Sequence, residues 1–223
     1  MLRGKGIMSD LQRRILGSFN KLPDSSYFYL SGGTALAEFY LGHRKSYDLD
    51  VFTVEERLIL PFSRIVEKEL IRERFYVDVI RRFSSFVEFE VTQRDEATKV
   101  QLAYDSPFRF EEPVDCNLGI KVNHYKDITV DKLLAFFGRA EPRDAIDLFF
   151  ILKKENIWEL ADLAVEKDPG FDLYWLAVAM NEVKDFPDHI TRWPVEMLIE
   201  INVEELKRVF SRISIEIMNR LKK

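Results

Sequence analysis

Two short runs in this chain carry residue types that could do chemistry: Ser31-Gly32-Gly33-Thr34 and, after a helix-length gap, Tyr47-Asp48-Leu49-Asp50-Val51-Phe52. Adjacent glycines let the backbone turn tightly, and the N–H groups of such a turn, backed by a helix N-terminus, suit an anionic phosphate. Two carboxylates at i and i+2 of a strand project from one face. Their repulsion is relieved by a cation between them, and oxygen-only ligation suits Mg²⁺ shared with substrate phosphates. Each run alone is commonplace, since most Gly-Gly-Thr runs are only turns and Asp-x-Asp is often a solvated turn or strand edge. Together, at this spacing, they predict a site for phosphate and metal.

The elements that must position these residues are written around them. Tyr27-Phe28-Tyr29-Leu30 is short, aromatic and bounded by Pro23-Asp24-Ser25-Ser26, which predicts a strand. Thr34 to Leu41 has helical composition and stops at Gly42, a C′ glycine. Asp48 to Thr53 has the composition of a second strand. Later, Thr129 to Gly138 predicts a helix with Thr129 as N-cap, and Pro142 stands at the first position of the next one.

These residues resemble the signature of the AbiEii/AbiGii toxin family of nucleotidyltransferases, within the DNA polymerase β-like superfamily. The first matching block is Gly32-Gly33-Thr34-Ala35-Leu36, Tyr40-Leu41-Gly42-His43-Arg44, Ser46 and Asp48-Leu49-Asp50-Val51-Phe52-Thr53. The second is Val130-Asp131-Lys132-Leu133-Leu134-Ala135, Arg139 and Arg143-Asp144-Ala145-Ile146-Asp147-Leu148, similar to the family's lysine and Asp-x-x-Asp-Leu motifs. In outline the resemblance covers residues 25–155, and nothing beyond it matches.

The resemblance implies an α/β (α+β) fold: a mixed-sheet nucleotidyltransferase core, residues 1–125, followed by a helical C-terminal region, 126–223, that carries the lysine and aspartate motifs. Gly32, Gly33 and Thr34 would hold NTP phosphates, Asp48 and Asp50 would bind Mg²⁺, Lys132 would contact the triphosphate and Asp144 would be functional. A hydroxyl would attack the α-phosphate and release pyrophosphate. The acceptor implied is RNA, tRNA in particular, or protein, and the role implied is the toxin of a toxin–antitoxin pair with a cognate antitoxin as partner. The alternative is a catalytically weakened member that binds nucleotide or a partner protein.

One departure motivates that alternative. The superfamily usually takes a third carboxylate from a later strand, and the aligned position in Lys99-Val100-Gln101-Leu102-Ala103-Tyr104-Asp105 is the neutral Gln101. Asp105 shares its strand face but lies about 13 Å further along an extended strand. Asp144 is the expected source of the missing charge. Without the resemblance, Lys132 reads equally as a snorkelling lysine beside an apolar helix face, and Asp144 as an N-terminal helix-dipole residue. Asp147, at i+3, reads as a structural ion-pair residue. His43, Arg44 and Lys45 fall in the loop between the two halves of the first motif, where they could meet phosphate or acceptor RNA or stay solvated.

Composition sets the remaining bounds. A chain of 223 residues, 47% hydrophobic and 13% aromatic, can bury a full core. The single Cys116 excludes an internal disulfide and, with no apolar run of membrane-spanning length, fits a cytoplasmic protein without a membrane partner. A net charge of −5 argues against nonspecific nucleic-acid binding by the whole surface. Local basic clusters remain at Arg72, Arg74, Arg81 and Arg82, and along the amphipathic tail Glu204 to Lys223. Further helices are predicted near Met8 to Phe19 and from Pro61 to Arg74, with strands between Tyr76 and His124. Among those strands Glu88 and Glu90 alternate with Val87, Phe89 and Val91, as in a half-exposed strand.

Overall fold

The structure, a computed structural model, describes residues 1–222; the last basic residue of the tail, Lys223, lies outside them. The chain divides into two compact units, Met1–Tyr125 and Lys126–Lys223.

The first unit is built on a seven-stranded mixed sheet in the order β3-β4-β5-β2-β1-β7-β6. Its strands are β1 (Tyr29–Ser31), β2 (Asp48–Thr53), β3 (Tyr76–Arg82), β4 (Phe86–Gln93), β5 (Glu96–Tyr104), β6 (Val114–Asp115) and β7 (Lys121–Val122). At its centre β2 runs antiparallel to β1 and parallel to β5, and β5 runs antiparallel to β4. Period-two alternation separates the two faces. Leu49 and Val51 of β2, Val100 and Leu102 of β5, and Val87, Phe89 and Val91 of β4 are all fully buried. Helices α1 (Asp10–Phe19) and α3 (Ile59–Arg72) pack on this sheet, with Phe62 of α3 stacked on Phe28 at 4.0 Å between centroids. The opposite face carries Asp48 and Asp50, Lys99 and Gln101, and Glu88 and Glu90, and it is here that chemistry can occur.

Between β1 and β2 the chain forms one helical turn, α2 (Gly32–Ala35), and continues as a π-helix over Leu36–Leu41. The π geometry is closed by Gly42 N–H donating to the Ala37 carbonyl at 2.9 Å, and Gly42 ends it in the left-handed region at φ 73°. The predicted helix over Thr34 to Leu41 is therefore real but wider in its second half. That segment carries Glu38 inward, where it is 1% exposed and accepts the backbone N–H groups of Gly6, Ile7 and Met8 at 2.9, 2.6 and 2.8 Å. A buried carboxylate is tolerable only with such donors, so Glu38 fastens the N-terminal segment to the core. Nearby, Tyr40 donates its hydroxyl to the Asn123 carbonyl at 2.8 Å. Burial, with a smaller contribution from Cys116, pushes its pKa up to about 12.

The second unit is helical, with α4 (Tyr125–Arg139), α5 (Pro142–Ile151), α6 (Ile157–Lys167), α7 (Leu173–Glu182) and α8 (Val203–Leu221). Its α4 starts four residues before Thr129, which is buried within the helix and donates to the Lys126 carbonyl rather than capping. Gly138 likewise lies inside, and the chain turns at Ala140, whose φ is 45°. Side-chain caps start the later helices: Asn156, Asp172 and Asn202 accept from Trp158, Trp175 and Glu205 N–H. In the core, Phe136 meets Phe210 of α8 edge-on at 5.2 Å.

Glu38→Gln tests the N-terminal fastening. Glu38 offers Oε1 to Gly6 and Oε2 to Ile7 and Met8, so either amide orientation turns an NH₂ toward at least one N–H donor. We expect a loss of about 1–3 kcal/mol in urea unfolding.

Candidate active site

The glycine turn and the carboxylate strand are in direct contact. β1 and β2 pair so that Ser31 lies opposite Asp50, and Gly32 follows with φ 69°. A Cβ added at residue 32 would overlap Asp50 Oδ2, so only hydrogen fits between the turn and that carboxylate. On the other side, a Cβ at Gly33 would come to 2.8 Å from Arg44 Nη2 and 3.1 Å from Ser46 Oγ. The turn is thus walled by a carboxylate on one flank and a guanidinium on the other.

Arg44 and His43 are 5% and 0% exposed, so the loop that could have been solvated is instead folded under the turn. Arg44 Nη1 also donates to the Lys45 carbonyl at 2.9 Å. Thr34 is 2% exposed, and its hydroxyl donates to the Asp48 carbonyl, tying the start of α2 to the start of β2. The Thr34 side chain is therefore spent on structure, and any phosphate contact from this residue would come from its backbone N–H.

Asp48 and Asp50 share the open face of β2, both half-buried, with Lys99 and Gln101 opposite them on β5. Gln101 pairs in register with Asp50, the position at which the superfamily's third carboxylate was expected. Asp105 lies beyond the other end of β2: its N–H donates to the Thr53 carbonyl at 2.8 Å, and its carboxylate accepts from the Tyr29 hydroxyl. It does not complete the site.

Among the described residues no three His, Cys, Asp or Glu side chains converge closely enough to hold a metal. The donor set is two carboxylates beside a glycine turn. That fits Mg²⁺, which binds through one or two carboxylates plus substrate phosphates rather than a closed protein cage.

The second motif block forms its own cluster in the helical unit. Lys132 Nζ lies 2.8 Å from Asp147 Oδ2 and 3.9 Å from Asp144 Oδ1. Arg139 grips both oxygens of Asp144, through Nε at 2.6 Å and Nη2 at 2.9 Å. Both aspartates are fully buried, and Lys132 is 8% exposed. Asp147, read as a structural ion-pair residue, is the lysine's closest partner. Asp144, expected to make up charge for a metal, has both oxygens engaged by Arg139.

The sequence matches the AbiEii family of nucleotidyl transferases, described as toxins of type IV toxin–antitoxin systems, over residues 14–209, so the likeness extends on both sides of the 25–155 outlined by the motifs. The chain belongs to this family. An uncharacterized protein of Aquifex aeolicus (strain VF5) is 32% identical over 206 residues, covering 90% of this chain and 93% of that protein. Two crystal or solved structures share the fold. One, described as a nucleotidyltransferase from H. pylori, has a TM-score of 0.64 at 17% identity and covers 96% of this chain and 98% of its own. The other, the nucleotidyltransferase toxin MenT4 from Mycobacterium tuberculosis H37Rv, has a TM-score of 0.57 at 12% identity and covers 93% and 82%.

As an AbiEii nucleotidyltransferase the chain is an enzyme, and its signature glycines have a steric cause. Sequence reasoning did not single out Glu88, which lies on the site's face and is 6% exposed while Glu90 is exposed. The alternation of β4 placed both on one face; only the pairing with β5 distinguishes them.

Two substitutions test these clusters. Gly32→Ala puts a methyl against Asp50 at a left-handed φ that costs an L-residue about 1–2 kcal/mol, so we expect a lower urea midpoint together with loss of nucleotide transfer. Asp147→Asn leaves Lys132 without its nearest counter-charge, and denaturant titration should show a loss of about 3–5 kcal/mol.

Proposed function

We propose that this AbiEii transferase moves a nucleotide from an NTP to an acceptor hydroxyl on RNA, with tRNA as the foremost candidate, using Mg²⁺, and that it acts in the cytoplasm under control of a cognate antitoxin. The observation that carries this reading is the closeness of Gly32 to the Asp50 carboxylate, which supports reading the turn's N–H groups as phosphate ligands and the carboxylate as a metal ligand. The acceptor hydroxyl releases its proton to solvent, its oxygen forms a bond to the α-phosphorus as the bond to the bridging oxygen breaks, and pyrophosphate leaves with that electron pair.

In this reading the N–H groups at Gly32, Gly33 and Thr34 hold phosphate oxygens at the start of α2. Arg44, buried against Gly33, adds fixed positive charge behind the turn. Lys132 contributes a point charge to the triphosphate, oriented by Asp147 and Asp144. Asp48 and Asp50 would hold Mg²⁺, which would supply charge to polarise the phosphoryl oxygens and acidify the attacking hydroxyl. Basic side chains elsewhere are partly engaged: Arg82 pairs with Glu67, Arg72 with Glu69, and Lys207 with Asp188 and the Lys184 and Phe186 carbonyls. Recognition of RNA is thus expected to be local, consistent with the net charge of −5.

A second reading, a member that binds nucleotide or protein without efficient transfer, draws on the neutral Gln101 opposite Asp50. Each α-labelled NTP should be incubated with total RNA and, separately, total protein in Mg²⁺, comparing the native chain with Asp50→Asn. Label on RNA with the native chain alone supports the transferase. Label on protein would replace the acceptor, and nucleotide binding without label would favour the second reading.

A further inference from the structure

Asp50, Gln101 and Glu88 occupy one row across three strands. Asp50 pairs with Gln101 between β2 and β5, and Gln101 pairs with Glu88 between β5 and β4. Residues paired in this way project from the same face, so the amide stands between two carboxylates. Gln101 Nε2 donates to Glu88 Oε2 at 3.1 Å.

Glu88 is the unusual member of the row. It is 6% exposed, and this neutral amide is its only polar side-chain partner among the described residues. Arg81, paired with it in register on β3, forms no ion pair with it among those residues. Burying a carboxylate without a cation is costly, and a glutamine or methionine of similar volume would serve stability better. A cost of this kind is understandable if the charge serves the neighbouring site.

The hydrogen bond also orients Gln101. An ionised carboxylate accepts only, so the amide must turn its NH₂ toward Glu88. Its carbonyl oxygen, Oε1, is left to serve the Asp50 side of the row, where an unrestrained amide would otherwise turn its NH₂ toward the carboxylate. An amide carbonyl is an accepted oxygen donor for hard cations but brings no charge. Two strand spacings put the Glu88 backbone about 10 Å from that of Asp50, too far for all three groups to converge on one ion. This agrees with the absence of a three-carboxylate cluster among the described residues.

We propose that Glu88 is a positioning residue of the metal site: it fixes Gln101 with its carbonyl oxygen available as a neutral ligand, and supplies from β4 the negative charge that Gln101 lacks. The two residues together stand in for a third carboxylate. The proposal rests on the reading of Asp48 and Asp50 as metal ligands.

The test is binding of Mn²⁺ to the full, nucleotide-free chain, followed by electron paramagnetic resonance, with thermal unfolding in chelator as a second readout. Glu88→Gln should weaken Mn²⁺ binding by about 10–100-fold, the usual effect of losing a partner that orients a ligand. In chelator the same variant should melt at or above the native temperature, because a buried charge has been removed. Glu88→Met, which keeps the volume and removes the acceptor, should weaken Mn²⁺ binding likewise. Gln101→Asp should restore native affinity in the Glu88→Gln background, since the charge then sits on β5.

Native Mn²⁺ affinity in both Glu88 variants, with binding abolished in Asp50→Asn, would overturn the role of Glu88 while leaving the metal site intact. No Mn²⁺ binding by the native chain would overturn both. A lower melting temperature in chelator, not rescued by Gln101→Asp, would make Glu88 a structural residue and overturn the proposal.

Discussion

The site depends on a missing side chain. Asp50 can lie against the turn only because residue 32 has no Cβ, and the turn itself needs the positive φ that glycine adopts at little cost. The same position thus meets a conformational and a steric demand at once. It also makes the two sequence motifs mechanically one object. The ladder between β1 and β2 sets Ser31 opposite Asp50, Thr34 bonds to the Asp48 carbonyl, and Arg44 closes the far side against Gly33. A shift of any one of these would move a carboxylate relative to the backbone N–H groups. That coupling matters because charge stabilisation in phosphoryl transfer depends on positions fixed before the reaction.

The helical unit solves a different problem. Lys132, Arg139, Asp144 and Asp147 carry two charges of each sign; Lys132 and the two aspartates are buried, while Arg139 stays partly in water. Such a network is a weak source of stability, because desolvating the three buried ions offsets most of their attraction. What it gives is geometry. The bidentate grip of Arg139 fixes Asp144, and the aspartates at i and i+3 of α5 then hold the flexible lysine from one helix face. A lysine held in this way has given up its rotamer freedom before any ligand arrives.

Local chemistry was the legible part of the fold. The bounds of β2, the left-handed stop at Gly42 and Pro142 at the start of α5 follow from neighbours within a few residues, and the structure has each. The π-helix did not show, because residue propensity and spacing do not separate it from an α-helix. Thr129 looked like a cap because caps and buried helical threonines share the same local pattern; only the turn of α4 that precedes it distinguishes them. Pairing was the harder matter. Alternation assigns Glu88 and Glu90 to one face, but it cannot say that Glu88 alone lies in register with Gln101. Asp105 was legible by distance alone: the rise of an extended strand puts it far from Asp50, and it lies at the other end of β2 beside Tyr29.

The segment between the motifs explains why their spacing is informative when each motif alone is not. β1 leaves the turn at Ser31, and β2 must return antiparallel with Asp48 and Asp50 at the same end of the sheet. The chain therefore has to go out and come back between residues 32 and 47. It goes out as α2 and the π-helix, reverses at Gly42, and returns through a loop whose His43 and Arg44 are buried rather than solvated. A shorter excursion would leave no helix behind the glycine turn. A longer one would free the loop from the turn and remove the guanidinium from behind Gly33. The sixteen-residue interval thus follows from three requirements acting together: a helix N-terminus at the turn, an antiparallel return, and a cation buried beneath it.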